Sequence, residues 1–456
     1  MYHDGLACSQ VDTMCIVWAR RLDSHIAQFA DQLAAQYGAM ATAASYFSQG
    51  AFNRCYEVKL KEGPSTILRF PILSKVAFRK EKVIDEVTVI KYIARQTSIP
   101  TPRLIKVSDS SWGPCIAMEF IKGRLLSDCL KDANREPEKV EILDPAISTQ
   151  TLTQAYKIMA KILIQLSKCE FTRIGGLSRD ESRRWCIGKR PMTVNANQLV
   201  ALANYPPAEL PAGTFATATD YFAALAETHM THLRTQRNDA IEDEADCRKK
   251  YVARCLFRVV AKRFSEARDR DNGPFRLVCD DLRPSNVIVD EEELNLRAVI
   301  DWEFSYAAPA EFTYCSPWWL LLAHPDDWED GLEAFWAQYL PRHETFLHAL
   351  KESEEEDIRS GTLSESQRLS PQMARSIHDG TFWFCLAANS SFAFDDIYWR
   401  FIDPQYFGAF TCLDERIKLL SSEEQDALAE FVCVKMQQAE ERRLDEYRTL
   451  DEILAS

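Results

Sequence analysis

The sequence predicts an α+β chain of two lobes, a small β-rich one followed by a larger, mainly helical one. Three observations carry that prediction. Strand-length apolar runs dominate before about residue 125, helical periodicity dominates after it, and a compact group of β-prone runs interrupts the helices at residues 275–300. At 456 residues the chain is long enough for two hydrophobic cores. Residues 1–45 are expected to form a helical extension, 46–122 the small lobe, and 123–456 the large lobe with the catalytic loop and a helical acceptor region.

The elements follow in order. Tyr56 to Leu60 and Thr66 to Phe70 read as strands divided by the turn signal Glu62-Gly63-Pro64. A helix is expected from about Lys82 to Arg95. Ile99-Pro100-Thr101-Pro102 then forces an extended segment, because a residue before proline avoids the helical region. Cys115 to Ile121 is another strand-length run. In the second part, Leu152, Ala155, Met159, Ile162 and Leu166 recur at helical spacing. Tyr221 to Leu233 and Tyr251 to Phe264 predict two further helices. Phe275 to Cys279, Val287 to Val289 and Leu296 to Ile300 predict the strand group, with the acidic turn Asp290 to Glu293 between the last two. The charge run Glu354 to Asp357 is expected to be a solvated helix face or loop.

Composition excludes several classes. The longest apolar stretch, Pro317 to Ala323, is far short of the roughly 20 residues that cross a bilayer. The start of the chain has neither a basic region followed by an apolar run nor the acid-poor character of a transit peptide, so a cytoplasmic protein is expected. Fourteen cysteines, scattered without metal-site spacing, are expected to be reduced and mostly buried. A formal charge of -14 argues against a nucleic-acid groove. An acidic chain would suit a cationic acceptor, although a solubilising surface accounts equally for the composition.

The chemistry is concentrated in Leu277 to Trp302, LVCDDLRPSNVIVDEEELNLRAVIDW. Asp281 lies in a loop between strands, Asn286 follows five residues later, and Asp301 comes just after a hydrophobic strand. Phosphoryl transfer needs one carboxylate to meet an acceptor hydroxyl. It needs a second carboxylate, with an amide oxygen, to hold the magnesium that bridges the phosphates. A turn around Pro284 and a helix cap would explain any one of these residues alone, but not their joint spacing.

Upstream, Glu86 falls inside the apolar face Val83, Val89, Ile90 and Ile93 of the predicted helix, whereas Glu81 and Asp85 fall outside it. A carboxylate on a buried face needs a partner. Arg69, the lone cation in Ile67-Leu68-Arg69-Phe70, is the best candidate. Ser48 to Asn53, holding Gly50, Phe52 and Asn53, occupies the place of a phosphate-covering loop; its single glycine is equally that of an ordinary turn. There is no P-loop motif in the chain.

On these residues the chain resembles the aminoglycoside phosphotransferase and choline kinase-like superfamily, and within it the fungal phosphotransferase-enzyme-family proteins. The resemblance runs from about Phe47 to Phe407. It rests on QGAFNRCYEV (Gln49 to Val58), ILRFP (Ile67 to Pro71), DEVTVIKYI (Asp85 to Ile93), IPTPRL (Ile99 to Leu104) and AMEFIKG (Ala117 to Gly123), and most specifically on CDDLRPSN (Cys279 to Asn286) and VIDWEFSYAAPAEF (Val299 to Phe312). It implies a protein kinase-like fold with ATP in the cleft between lobes. Asp281 would be the catalytic base, and Asn286 and Asp301 would hold Mg²⁺. Arg69, where many members have lysine, would contact the phosphates and pair with Glu86. The backbone of Glu119 and Ile121 would hydrogen-bond adenine. Three features depart from the common pattern: Cys279 and Asp280 replace the usual histidine and glycine of the loop, the aspartate that often follows the D-W-E segment is missing from AAPAEF, and the cover loop is poor in glycine.

The implied activity is ATP- and Mg²⁺-dependent phosphorylation of a small molecule, with a hydroxyl as the first expected acceptor. The alternative is a weakly active or inactive kinase-like protein that binds nucleotide or metabolite and regulates a partner. Other residues are open at this level. His229 and His232 could share a metal but suit packing better. Arg283 could touch a phosphate or brace the loop. Asp395, Asp396 and Trp399 could line an acceptor pocket, or be the ordinary acids of a helix start. Cys279, in a β run, is expected to be inert.

Overall fold

A computed structural model describes residues 1–444 apart from Tyr37, Ser111, Pro137 and Glu291. Helix α1 (Gly5–Ala35) is capped by Asp4, whose carboxylate accepts from the backbone N–H groups of Leu6 and Ala7. Strands β1 (Ala41–Gln49), β2 (Asn53–Leu60) and β3 (Thr66–Pro71) follow, then helix α2 (Arg79–Gln96) and strands β4 (Leu104–Ser110) and β5 (Gly113–Glu119). The five strands form one antiparallel sheet in the order β1-β2-β3-β5-β4.

Strand alternation decides what each face of this sheet meets. Leu68, Phe70, Cys115 and Ala117 point to one side, where Trp18, Leu22, Ile26 and Leu33 of α1 cover them. Ile67, Ile116 and Met118 point to the other, where Val83 and Val87 of α2 pack. Arg69 shares the parity of Ile67 and therefore faces α2. Residues 1–45 contain the expected helix, α1. Residues 41–45 are already in the sheet, and α1 is one of its two walls.

The large lobe begins with β6 (Arg124–Leu125), α3 (Thr149–Ser167), β7 (Glu170–Phe171) and a hairpin of β8 (Gly176–Arg179) and β9 (Trp185–Lys189). Helices α4 (Val194–Leu202), α5 (Ala218–Thr235) and α6 (Glu244–Glu266) come next. Strands β10 (Phe275–Cys279), β11 (Val287–Val289), β12 (Leu296–Val299) and β13 (Ser305–Ala308) are the predicted strand group with one addition. Helices α7 (Ala310–Tyr314), α8 (Gly331–Arg359), α9 (Ser370–His378), α10 (Thr381–Asn389) and α11 (Phe394–Ile397) continue the lobe. The whole is the two-lobed, kinase-like α+β fold that the sequence predicts.

Local readings are corrected in four places. The segment Ser48–Asn53 is half strand: β1 runs to Gln49 and β2 opens at Asn53, leaving Gly50 to Phe52 as the turn. Glu354, in the charge run, is fully buried on α8 and accepts from the backbone N–H groups of Leu369 and Ser370, where α9 begins. The cysteines are all free, but only six are buried, and Cys412 and Cys433 are exposed. Glu81 and Asp85 do need partners: Asp85 is buried and pairs with Lys189 at 2.6 Å, and Glu81 pairs with Arg190 at 2.7 Å. These two ion pairs fasten α2 to the β8–β9 hairpin of the other lobe. Tyr92 of α2 adds an edge contact to Trp185, with ring centroids 5.3 Å apart.

Candidate active site

Two antiparallel strand pairs of the large lobe, β11–β12 and β10–β13, assemble the site. The β11–β12 register sets Val287 opposite Val299, and the Ile300 N–H donates to the Asn286 carbonyl at 2.9 Å. Asn286 therefore lies beside Asp301. The β10–β13 register sets Cys279 opposite Ser305, and the Asp280 N–H donates to the Phe304 carbonyl at 3.2 Å, bringing Asp281 alongside. Asn286 Nδ2 donates to the Asp281 carbonyl at 2.7 Å, which turns its amide oxygen into the atom left for a cation. Asp301 adopts a left-handed backbone, with φ 64°.

Asp281 is paired with Arg283, whose Nε lies 3.0 Å from Oδ1. Arg283 thus braces the loop. Burial pushes the Asp281 carboxyl up to about 7; Arg283 opposes the shift, and Asp301 and Glu303 add to it. Asp280, in the usual glycine position, accepts from the Val194 N–H at the start of α4 at 3.1 Å. Burial pushes it too up to about 7, against that hydrogen bond. Cys279 supplies a brace of its own: its thiol reaches the carbonyls of Glu303 and Asp301 at 3.5 and 3.8 Å. Burial holds that thiol well above its ordinary range, so it is no nucleophile.

The ion pair expected between Arg69 and Glu86 is present. Arg69 Nη1 meets Glu86, while Nη2 meets Asp301 and lies 3.0 Å from Glu303. Only a forked guanidinium can bridge both sides in this way. Two residues escaped the sequence reading. Lys82, fully buried on α2, pairs with Glu303 and donates to Asn53 Oδ1 at 2.8 Å. Glu303, buried two residues beyond Asp301, also accepts from Asn53 Nδ2 at 2.8 Å. The signal for Lys82 was its position four residues before Glu86, on the same buried stripe.

The remaining predicted residues fall around this core. Gly50 and Phe52 form the β1–β2 turn, with Phe52 edge-on to Phe304 at 5.1 Å. The Asn53 side chain bridges Lys82 and Glu303. The Glu119 N–H is taken by the Arg103 carbonyl at 3.0 Å, so only the carbonyl of that residue could meet an adenine; Ile121 follows just beyond the end of β5.

A cavity of about 980 Å³ opens directly beside Asp281. Phe52, Trp318, Trp328, Asp326 and Asp396 are among its walls. Asp395 does not face it: that carboxylate is bound by Arg254 at 2.6 Å, and Arg254 holds it well below the usual range despite burial. Trp399 packs instead on Phe410, and Lys249 sits 5.3 Å over its ring. His229 and His232 are buried packing residues, bonded to Ser391 and Gln236.

The donor set suits a hard divalent cation. One oxygen each from Asp281, Asp301 and Glu303 lie within 4.8 Å of one another, and Glu303 Oε1 is buried without a hydrogen-bond partner among the described residues. The model of the phosphotransferase enzyme family matches residues 43–350, more than half of the chain. The chain belongs to that family. The match includes the whole Leu277 to Trp302 segment.

Solved structures similar to this family member share little sequence with it. A macrolide 2'-phosphotransferase type I is 12% identical with a TM-score of 0.42, covering 91% of this chain and 97% of its own. An aminoglycoside phosphotransferase from Streptomyces rimosus is 15% identical with a TM-score of 0.38, covering 76% and 98%. A macrolide 2'-phosphotransferase from Brachybacterium faecium is 14% identical with a TM-score of 0.36, covering 82% and 98%. No curated protein matches the chain. Among the described residues no helix is long and apolar enough to cross a membrane.

Proposed function

We propose that the chain transfers the terminal phosphoryl group of ATP, with Mg²⁺, to a hydroxyl of a small molecule held in the cavity beside Asp281. The observation that carries this reading is the meeting of Asp281, Asn286 and Asp301, with Asp281 also lining that cavity and the Arg69–Glu86 pair behind them. In the transfer a bond forms between the acceptor oxygen and the γ-phosphorus, the bond to the β,γ-bridging oxygen breaks, and ADP leaves. Asp281 orients the hydroxyl and takes its proton. Asn286 and Asp301 hold the metal, with Glu303 beside them; when bound, Mg²⁺ neutralises charge on the phosphates. Arg69, fixed by Glu86, steadies the phosphates. Such catalysis is mostly positioning and electrostatics. The carboxylates and indoles of the cavity support a cationic acceptor.

A thermal-shift titration with ATP, with and without Mg²⁺, tests the reading. A ligand at a hundred times its dissociation constant stabilises a fold by about 2.7 kcal/mol, so a magnesium-dependent rise in melting temperature is expected. If no such rise occurs, the ATP reading is wrong. A screen of amino alcohols and sugars for ATP consumption then identifies the acceptor.

A pH profile adds a second check. A base must be ionised to accept a proton, and burial holds Asp281 up at about 7. The value of kcat/KM, which reports the free enzyme, should therefore fall on the acid side of an apparent pKa near that value. A flat profile down to pH ~5 would remove Asp281 as the titrating base.

A further inference from the structure

Lys82 is a buried charge that the reading above leaves unused. Its side chain is wholly shielded from solvent, and so is that of its partner Glu303. Replacing such an ion pair by apolar residues is often neutral or stabilising, so the pair is weak evidence for a stability role. Its placement suggests another. Asn53, at the start of β2, donates to Glu303 and accepts from Lys82, while Arg69 of β3 reaches Glu303 at 3.0 Å. Strands β2 and β3 and helix α2 thus all grip one carboxylate.

That carboxylate sits inside a constrained turn. Asp301 and Phe304, flanking it, both lie in the left-handed region, with φ of 64° and 55°. Non-glycine residues persist there only when their surroundings hold them. Phe304 also lies within 5.9 Å of the Lys82 ammonium. Without Lys82, Arg69 would be the one cation in direct contact with Glu303 among the described residues, while also serving Glu86 and Asp301.

We propose that Lys82 is a positioning residue for phosphoryl transfer. It fixes Glu303, and through it sets the Asp301 turn against Asn286, as a second tie from α2 beside the Arg69–Glu86 pair. The inference rests on the reading that Asp301 and Asn286 hold the metal.

The test is the metal dependence of nucleotide binding in Lys82→Met. Mg²⁺ is titrated at fixed ATP, and the affinity for ATP without metal is measured on the same preparation. Losing a residue that orients a metal ligand typically costs 10–100-fold in metal affinity, so roughly a tenfold or greater weakening is expected, with metal-free ATP affinity unchanged. Lys82→Gln, which can still donate to Glu303, serves if methionine prevents folding; a weaker loss in the same direction is expected. A packing role alone would lower the melting temperature and leave the metal dependence at the wild-type value, and that result overturns the proposal. If the wild-type protein shows no metal-dependent ATP binding, the phosphotransfer reading itself falls, a failure distinct from an unaltered variant beside a responsive wild type.

Discussion

Asp281→Asn is expected to lower kcat by about 10²–10⁴-fold, the range removed with a positioned general base, while leaving MgATP binding largely intact. Asparagine keeps the shape of the side chain and can still face Arg283, which lies 3.0 Å from Asp281 in the wild type. It cannot accept the proton of an acceptor hydroxyl. Single-turnover kinetics beside a nucleotide-binding titration separate the two effects. Unchanged turnover would mean that Asp281 is not the base, whatever its place beside the cavity. Loss of binding with loss of turnover would assign it a role in holding the nucleotide instead.

Arg69→Met should produce the largest loss of stability, because the guanidinium faces three carboxylates at once. Arg69 and Glu86 are both buried. Removing one partner of a buried pair typically costs about 3–5 kcal/mol, since the other is left uncompensated. Adding Glu86→Gln to Arg69→Met should recover part of that loss, an interaction that a double-mutant cycle of urea melts would measure. Strictly additive losses would show that the two side chains are not energetically coupled. Arg69→Lys is not conservative here. A single ammonium cannot stand in for the two guanidinium nitrogens that reach Glu86 on one side and Asp301 with Glu303 on the other.

Much of this site was legible in the sequence because its determinants are local. The spacing of Asp281, Asn286 and Asp301 survives folding, since the β11–β12 hairpin nested inside the β10–β13 pair brings them together in fixed register. Glu86 declared itself by interrupting an apolar stripe, and Arg69 by interrupting an apolar strand. What the sequence reading missed depends on which charges meet across the fold. Asp85 looked solvated because Lys189, its partner, is over a hundred residues away on the β8–β9 hairpin. Lys82 was passed over because a lysine at the start of a helix is ordinarily exposed, and only Glu303 and Asn53 make its burial tolerable. Asp395 and Asp396 are neighbours in sequence, yet one is sealed by Arg254 and the other faces the cavity. No pattern along the chain distinguishes them.

The ion pairs that fasten α2 to the β8–β9 hairpin bear on how the protein would respond to its ligands. In a molecule that must swing a helix inward before it can bind, measured affinity is reduced by the fraction of time spent in the competent arrangement. Here Lys189 and Arg190 hold α2 from the opposite lobe, with Glu86 on Arg69. Any outward swing of α2 would therefore have to break both of these pairs.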